Sequence, residues 1–225
     1  EVIKYIQIAR KNHEEGNIYQ ANEIYKKLIN QKIYTYDLLI SYGLFNKDIN
    51  NLKTAKNLFI STINKYPSRI ESYILLAEIF RKENNLKDAL KTLQIAKNIE
   101  KQNPVVDYNF AISYKTIKSS KKALVSIDAA INKKPENQIY KILKADILIE
   151  CFEDEKAKEL LLNLKLKKDS LLNFQREILI SKVFINQKKY TLAEKVLLEL
   201  RKSFSKQKIL YLNLSDLYFK NKDLE

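Results

Sequence analysis

Between residues 70 and 103, apolar side chains recur twice at helical spacing, with a polar break between the two runs. Tyr73, Leu76, Ala77 and Phe80 stand at i, i+3, i+4 and i+7, which is one face of an α-helix. Leu86, Ala89, Leu90 and Leu93 follow the same spacing after the break. Asn84 and Asn85 lie between the runs, where asparagine suits a turn and can cap the helix that follows. The stretch therefore predicts a helical hairpin with an apolar face on each helix. Helices this short are marginal alone in water, so the pair must pack on itself and on neighbours.

The hairpin recurs along the chain. An alanine follows the inter-helix turn at Ala21, Ala55, Ala89, Ala123, Ala157 and Ala193, at spacings of 34, 34, 34, 34 and 36. A fixed period of this size marks a solenoid. Twelve residues before each alanine stands a small residue, at Ala9, Gly43, Ala77, Ala111, Ala145 and Ser181, and Ser215 continues the series. Small residues at both places let two helices approach closely, so Ala89 is expected to be buried where its hairpin crosses. Four residues after each alanine comes a large apolar one: Tyr25, Phe59, Leu93, Ile127, Leu161 and Leu197. Pro67 and Pro135 mark where second helices stop. Asn17, Asn51, Asn85 and Ser119 are the expected N-caps of second helices. Residues 165–174 absorb the two extra positions of the long step, as a longer connection and not as a domain boundary.

This pattern resembles the tetratricopeptide repeat (TPR) family. The resemblance is carried by the period, the small residue of the first helix, the alanine and aromatic of the second, and the terminal proline. Gly16 and Tyr25 in the first repeat match the family pattern closely, as do Tyr73, Leu76, Ala77 and Phe80 in the third. The fifth repeat departs from it, with Leu148 in place of the aromatic and Lys144 in place of a leucine. The resemblance implies an all-α, right-handed superhelical solenoid of antiparallel helix pairs. It would form one domain over 1–225, with repeats at 2–35, 36–69, 70–103, 104–137, 138–173 and 174–207 and a partial one at 208–225. The last first helix, 208–222, places Leu210, Leu214, Leu217 and Tyr218 on one apolar side and Leu212 and Phe219 on another. Self-association through this helix is expected. The chain opens on Glu1 rather than Met and is read as a segment of a longer protein.

Composition narrows the chemistry. A chain that is 45% hydrophobic and 30% charged is globular. Two glycines and three prolines suit helices better than hairpins of strands. No apolar run approaches the ~18 residues of a membrane span, and a cytoplasmic location is expected. A single cysteine, Cys151, forms neither an intramolecular disulfide nor a cysteine cluster. With His13 the only histidine, a His-ligated metal or a Ser-His-Asp triad is out of reach. No nucleophile-elbow, P-loop or zinc-protease motif occurs. His13 and Cys151 read as packing or surface residues, and Glu153 and Glu155 as solvated charge in a turn. No catalysis, cofactor or metal is expected.

Within the resemblance, the first helix of each repeat lines the concave face, and its positions 2, 5, 9 and 12 meet the ligand. Position 5 is apolar throughout: Ile6, Ile40, Ile74, Tyr108, Ile142, Ile178 and Leu212. Position 2 adds Ile3, Val105, Ile139 and Ile209, and position 12 adds Ile149, Ile185 and Phe219. Charges at the groove positions cancel, with Arg10, Lys47, Arg81, Lys115 and Lys182 against Asp37, Glu71, Glu78, Asp146 and Asp216. The expected partner-binding residues are Ile40, Ile74, Arg81, Tyr108, Lys115, Ile142, Ile178 and Lys182, with packing of the position-5 row against the neighbouring first helix as the competing reading, and the expected partner is a protein or peptide segment. The two-carboxylate clamp of TPR co-chaperones is absent, because Ile6, Arg10, Leu44, Glu71 and Leu75 stand at its places. An isoleucine at position 5 cannot read a base edge as the related RNA-binding repeats do. Two further readings stand beside this one. The chain could be the recognition arm of a larger enzyme, such as a sulfotransferase or glycosyltransferase. Alternatively, the net charge of +14 could bind nucleic-acid backbone through convex lysines such as Lys121 and Lys122.

Overall fold

The structure, a computed structural model, describes residues 1–222. Among the described residues the regular structure is thirteen α-helices. First helices of the hairpins are α1 (Val2–Glu14), α3 (Tyr36–Asp48), α5 (Ile70–Lys82), α7 (Pro104–Thr116), α9 (Gln138–Glu150), α11 (Leu171–Asn186) and α13 (Lys208–Lys222). Second helices are α2 (Ile18–Asn30), α4 (Leu52–Lys65), α6 (Leu86–Ile99), α8 (Ser120–Lys133), α10 (Asp154–Leu162) and α12 (Tyr190–Phe204). The first helices thus begin at residues 2, 36, 70, 104, 138, 171 and 208. None of these helices is long and apolar enough to cross a membrane.

One turn closes every hairpin. Its first residue is left-handed: Gly16 at φ 81°, then Asn50, Asn84, Lys118, Phe152 and Lys188 at φ 55–61°. The next residue's N–H donates back to a carbonyl five residues earlier, from Asn17, Asn51, Asn85, Ser119, Glu153 and Lys189, at 2.7–2.9 Å. This is the Schellman closure, which satisfies a helix-end carbonyl. Two of the expected caps then form, with Asn51 accepting from the Thr54 amide and Asn85 from the Asp88 amide. Asn17 and Ser119 make no side-chain cap bond. The Asn17 side-chain amide instead donates to Asn12 and Glu15 within the turn.

The small residues mark the crossings. All six alanines of the second helices are fully buried, Ala89 among them, as are Ala9, Ala77, Ala111, Ala145 and Ser181 of the first helices. Gly43 shows why the size matters: a Cβ built there would run into the Phe59 ring. A fully packed core resists even one added methyl group.

The chain forms two compact units, Glu1–Asn109 and Phe110–Glu225. In the first, Tyr25, Tyr42 and Phe45 pack as an aromatic group with centroids 5.1–6.1 Å apart, among Ile6, Leu28 and Leu38. Burial pushes the Tyr25 hydroxyl pKa up to about 12, against a small opposing effect of Arg10. Phe59 anchors the next cluster with Ile40, Ala55, Leu76 and Ile79. In the second unit, Ile142, Leu161, Leu164 and Val183 form one cluster, and Phe174, Ile178, Leu197, Leu210 and Leu217 form another.

The long step lies inside the second unit. There α10 is only nine residues long, and residues 163–170 form the connection. Leu164 of this connection is buried. The following helix begins at Leu171, earlier than the predicted 174, because Ser170 caps it by accepting from the Asn173 amide at 3.1 Å. The extra positions thus become a loop plus an added helical turn.

At α13, Leu210, Leu214 and Leu217 are buried against α11 and α12. Tyr218 does not join them; its hydroxyl donates to Glu194 at 2.7 Å. Leu212, Ser215 and Phe219 are exposed, although the position-5 residues Ile6, Ile40, Ile142 and Ile178 and the small residues of the six earlier first helices are buried.

Phe152 combines a left-handed backbone with an 83% exposed side chain. A non-glycine residue there costs ~1–2 kcal/mol, partly offset by the greater unfolded-state freedom of glycine. Phe152→Gly should therefore raise unfolding stability by ~0.5–1 kcal/mol in chemical denaturation. A loss of stability would show that the exposed ring makes contacts that matter.

Candidate partner-binding face of the first helices

The residues expected to meet a partner divide by burial. Ile40, Ile142 and Ile178 are 5–7% exposed and sit in the cores described above. Ile74 and Tyr108 are half-buried. The row at position 5 is thus largely packing between neighbouring helices. The apolar row left open is position 2, where Ile3, Val105, Ile139 and Ile209 are 40–67% exposed. Of the position-12 residues, Ile149 and Ile185 are buried and Phe219 is exposed.

Of the charged residues of this face, Lys47, Lys115 and Lys182 pair with carboxylates, whereas Arg10 meets a hydroxyl. Arg10 donates from Nε and NH2 to the Ser41 hydroxyl at 2.9 and 2.6 Å, and that hydroxyl donates to the Asp37 carbonyl. Lys47 pairs with Glu78 at 3.1 Å. Lys115 pairs with Asp146 at 3.0 Å and Glu150 at 2.5 Å. Each of these cations reaches a residue 31 positions ahead, on the next first helix, so one period less three places the two ends side by side. Tyr36 bridges in the same direction, its hydroxyl donating to Glu71 at 2.7 Å.

Two sites break the rule. Arg81 would meet Ile112, an apolar residue, at that spacing; it donates instead to Asn109 at 3.1 Å. Lys182, at position 9, turns back to Asp146 of α9 at 3.8 Å. The ladder also sets the local ionisation. Burial lowers the Arg81 guanidinium pKa against the opposing charge of Glu78. Burial likewise raises the Tyr108 phenol pKa, with Arg81 pulling the other way. At Lys115 burial disfavours the ammonium, but Glu150 and Asp146 together outweigh it and raise its pKa. Partly exposed pairs of this kind contribute only ~0.2–1 kcal/mol each, so their main effect is to hold side chains in register.

His13 lies 3.8 Å from Asp48 with its ring edge-on to Phe45, and Cys151 is half-buried at the end of α9. Among the described residues no three His, Cys, Asp or Glu side chains converge as a metal site. Composition alone could not separate the buried position 5 from the open position 2, since both are isoleucine-rich. The opposite charges at Lys47 and Glu78, and at Lys115 and Asp146, were the one signal of the ladder already present in the sequence.

No protein-family model and no curated protein matches the chain. Several solved structures are similar to it. One is a tetratricopeptide repeat protein from Parabacteroides merdae, with 21% identity and a TM-score of 0.64 over 82% of this chain and 73% of that one. Another is PilF of Pseudomonas aeruginosa, with 13% identity and a TM-score of 0.69 over 96% and 97%. A chain of the Cut9–Hcn1 hetero-tetramer of the APC/C has 11% identity and a TM-score of 0.76, over 95% of this chain and 42% of that one. The present chain spans less than half of the last. At these identities the likeness is one of fold, and the fold is the TPR helical-hairpin repeat.

The burial pattern makes a direct test of the two rows. Ile142→Lys places an ammonium in a core cluster and should cost about 2–4 kcal/mol. Ile139→Lys, three residues away but exposed, should shift stability by less than ~0.5 kcal/mol. Equal effects in thermal or urea unfolding would mean that the two positions do not differ in burial.

Proposed function

We propose that the chain is a protein-interaction scaffold that holds a peptide or helical segment of a partner on the face of its first helices. The open position-2 residues Val105, Ile139 and Ile209 would supply the apolar contacts. The half-buried Ile74 and Tyr108 would add to them, and Arg81, Lys115 and Lys182 would act as positioned polar groups. The observation that carries this reading is the exposure of the apolar position-2 residues, Ile139 and Ile209 in the second unit, beside Lys115 and Lys182 already paired with Asp146. Exposed apolar side chains on an ordered face favour association with another apolar surface. The paired charges leave little free charge on that face. The Cut9–Hcn1 neighbour, a hetero-tetramer, supports the reading as an example of this fold within an assembly.

Peptides selected from a random-sequence display library on the wild-type chain provide the test. Ile139→Lys and Ile209→Lys should each weaken their binding at least about tenfold, or ~1.4 kcal/mol. Raising the salt should change affinity little, because the charges of the face are mutually compensated. Peptides that ignore both substitutions but lose affinity steeply with salt would reassign binding to the exposed lysines.

Self-association belongs to the same proposal. Leu212, Ser215 and Phe219 form an apolar strip around a small residue on α13, which suits close approach of a helix from a second copy. Light scattering should show a concentration-dependent dimer that Leu212→Glu with Phe219→Glu converts to monomer. A wild-type monomer at the highest concentration reached would remove this part of the proposal.

A further inference from the structure

The irregular step of the repeat builds a cavity. It measures about 440 Å³ and lies between the connection 163–170, the added first turn of α11, and α12. Leu166, Val196, Leu200 and Phe204 give it apolar walls. Phe174 backs Phe204 with ring centroids 4.9 Å apart, so that wall is fixed. A cavity of this size falls within the ordinary range of small-molecule sites, about 300–1,000 Å³. No single protein side chain would fill it.

Six charged residues also line it: Lys168, Arg176 and Lys195 with Asp169, Glu177 and Glu199. Of the charged residues lining the cavity, Arg176 holds Glu177 at 2.5 Å, and Glu199 is held by Lys202 at 2.5 Å. Lys168, Lys195 and Asp169 remain outside these pairs, with the cations in excess. Lys168 does act across the mouth: after Lys202, its charge also draws the Glu199 carboxyl below its ordinary value. Lys165 and Lys167, exposed on the same connection, add to the positive side. The Asn173 side-chain amide is already spent on the Lys168 carbonyl at 2.7 Å. Every regular lining element is a helix, so no strand edge is open to pair with an extended peptide.

We propose that this cavity binds a small amphiphilic carboxylate, with its hydrocarbon chain against Leu166, Val196, Leu200 and Phe204 and its carboxylate between Lys168 and Lys195. The apolar walls bury the chain, and the two ammonium groups at the rim select a single negative charge over a neutral or positive head. Here α10 stops after nine residues, and the connection that follows supplies Leu166 and Lys168 to the lining.

Decanoate, decan-1-ol and decyltrimethylammonium are the probes, titrated below micelle formation into the full isotope-labelled chain. Decanoate should give saturable amide shifts confined to residues 164–176 and 193–204. It should bind more tightly than decan-1-ol, and decyltrimethylammonium should not saturate. Lys168→Glu with Lys195→Glu, both at exposed side chains, should weaken decanoate at least about tenfold while leaving the unfolding transition in place. Val196→Glu, on the cavity wall, should abolish saturation and provides an independent variant. The proposal fails if decanoate does not saturate, if its shifts spread evenly over the repeats, or if the alcohol or the cation binds as well as the carboxylate.

Discussion

The fold rests on close approach at helix crossings. Each hairpin brings two helices together where both present a small residue, and a larger side chain at either place has nowhere to go. Gly43 against the Phe59 ring is the clearest case, since even one methyl group would collide. Once the crossing is fixed, the large residue one turn later must enter the core; Phe59, Leu93, Ile127, Leu161 and Leu197 are all fully buried. The left-handed turn residue and its backward hydrogen bond then set the length of each first helix. Period, crossing and turn are therefore one constraint seen at three scales.

That constraint also shapes the face on which a partner would dock. Stacking first helices at close range covers position 5, which is why an isoleucine row that looks like a binding stripe becomes core at Ile40, Ile142 and Ile178. The same stacking brings position 12 of one first helix beside position 9 of the next. Lys47 with Glu78 and Lys115 with Asp146 occupy those places. The pairs add little stability at partly exposed sites. They do remove free charge from a protein with a large positive excess, leaving that excess on other surfaces. Position 2 keeps Ile3, Val105, Ile139 and Ile209 exposed beside these pairs.

Much of this was legible in the sequence because periodic burial writes a periodic pattern. The alanines and the small residues twelve positions earlier located every hairpin, and the helix starts followed, α11 excepted. Burial of position 5 was not legible, since isoleucine is equally at home in a core and on an apolar surface. Neither was the Ser170 cap: serine is common in loops, and only its bond to the Asn173 amide distinguishes it. The left-handed residues were half visible. Gly16, Asn50 and Asn84 are natural choices for that backbone, whereas Lys118, Phe152 and Lys188 are held there by the Schellman closure around them. Tyr218 was placed on the wrong side because its apolar ring was weighed without its hydroxyl, which finds Glu194.

A strictly repeating array tends to fill its own crevices, because each hairpin is shaped to receive the next. The one departure from the period lies between Ala157 and Ala193. Here the departure is two residues long, and loop insertions of that size carry little entropic cost. The insertion shortens α10, and the following loop is drawn inward at Leu164, where the Arg176 guanidinium reaches the Leu164 carbonyl. What remains between that loop and α12 is a space with apolar walls and lysines at its rim. On α11 Lys182, at position 9, faces Asp146 of α9 at 3.8 Å. One small irregularity thus opens a chamber.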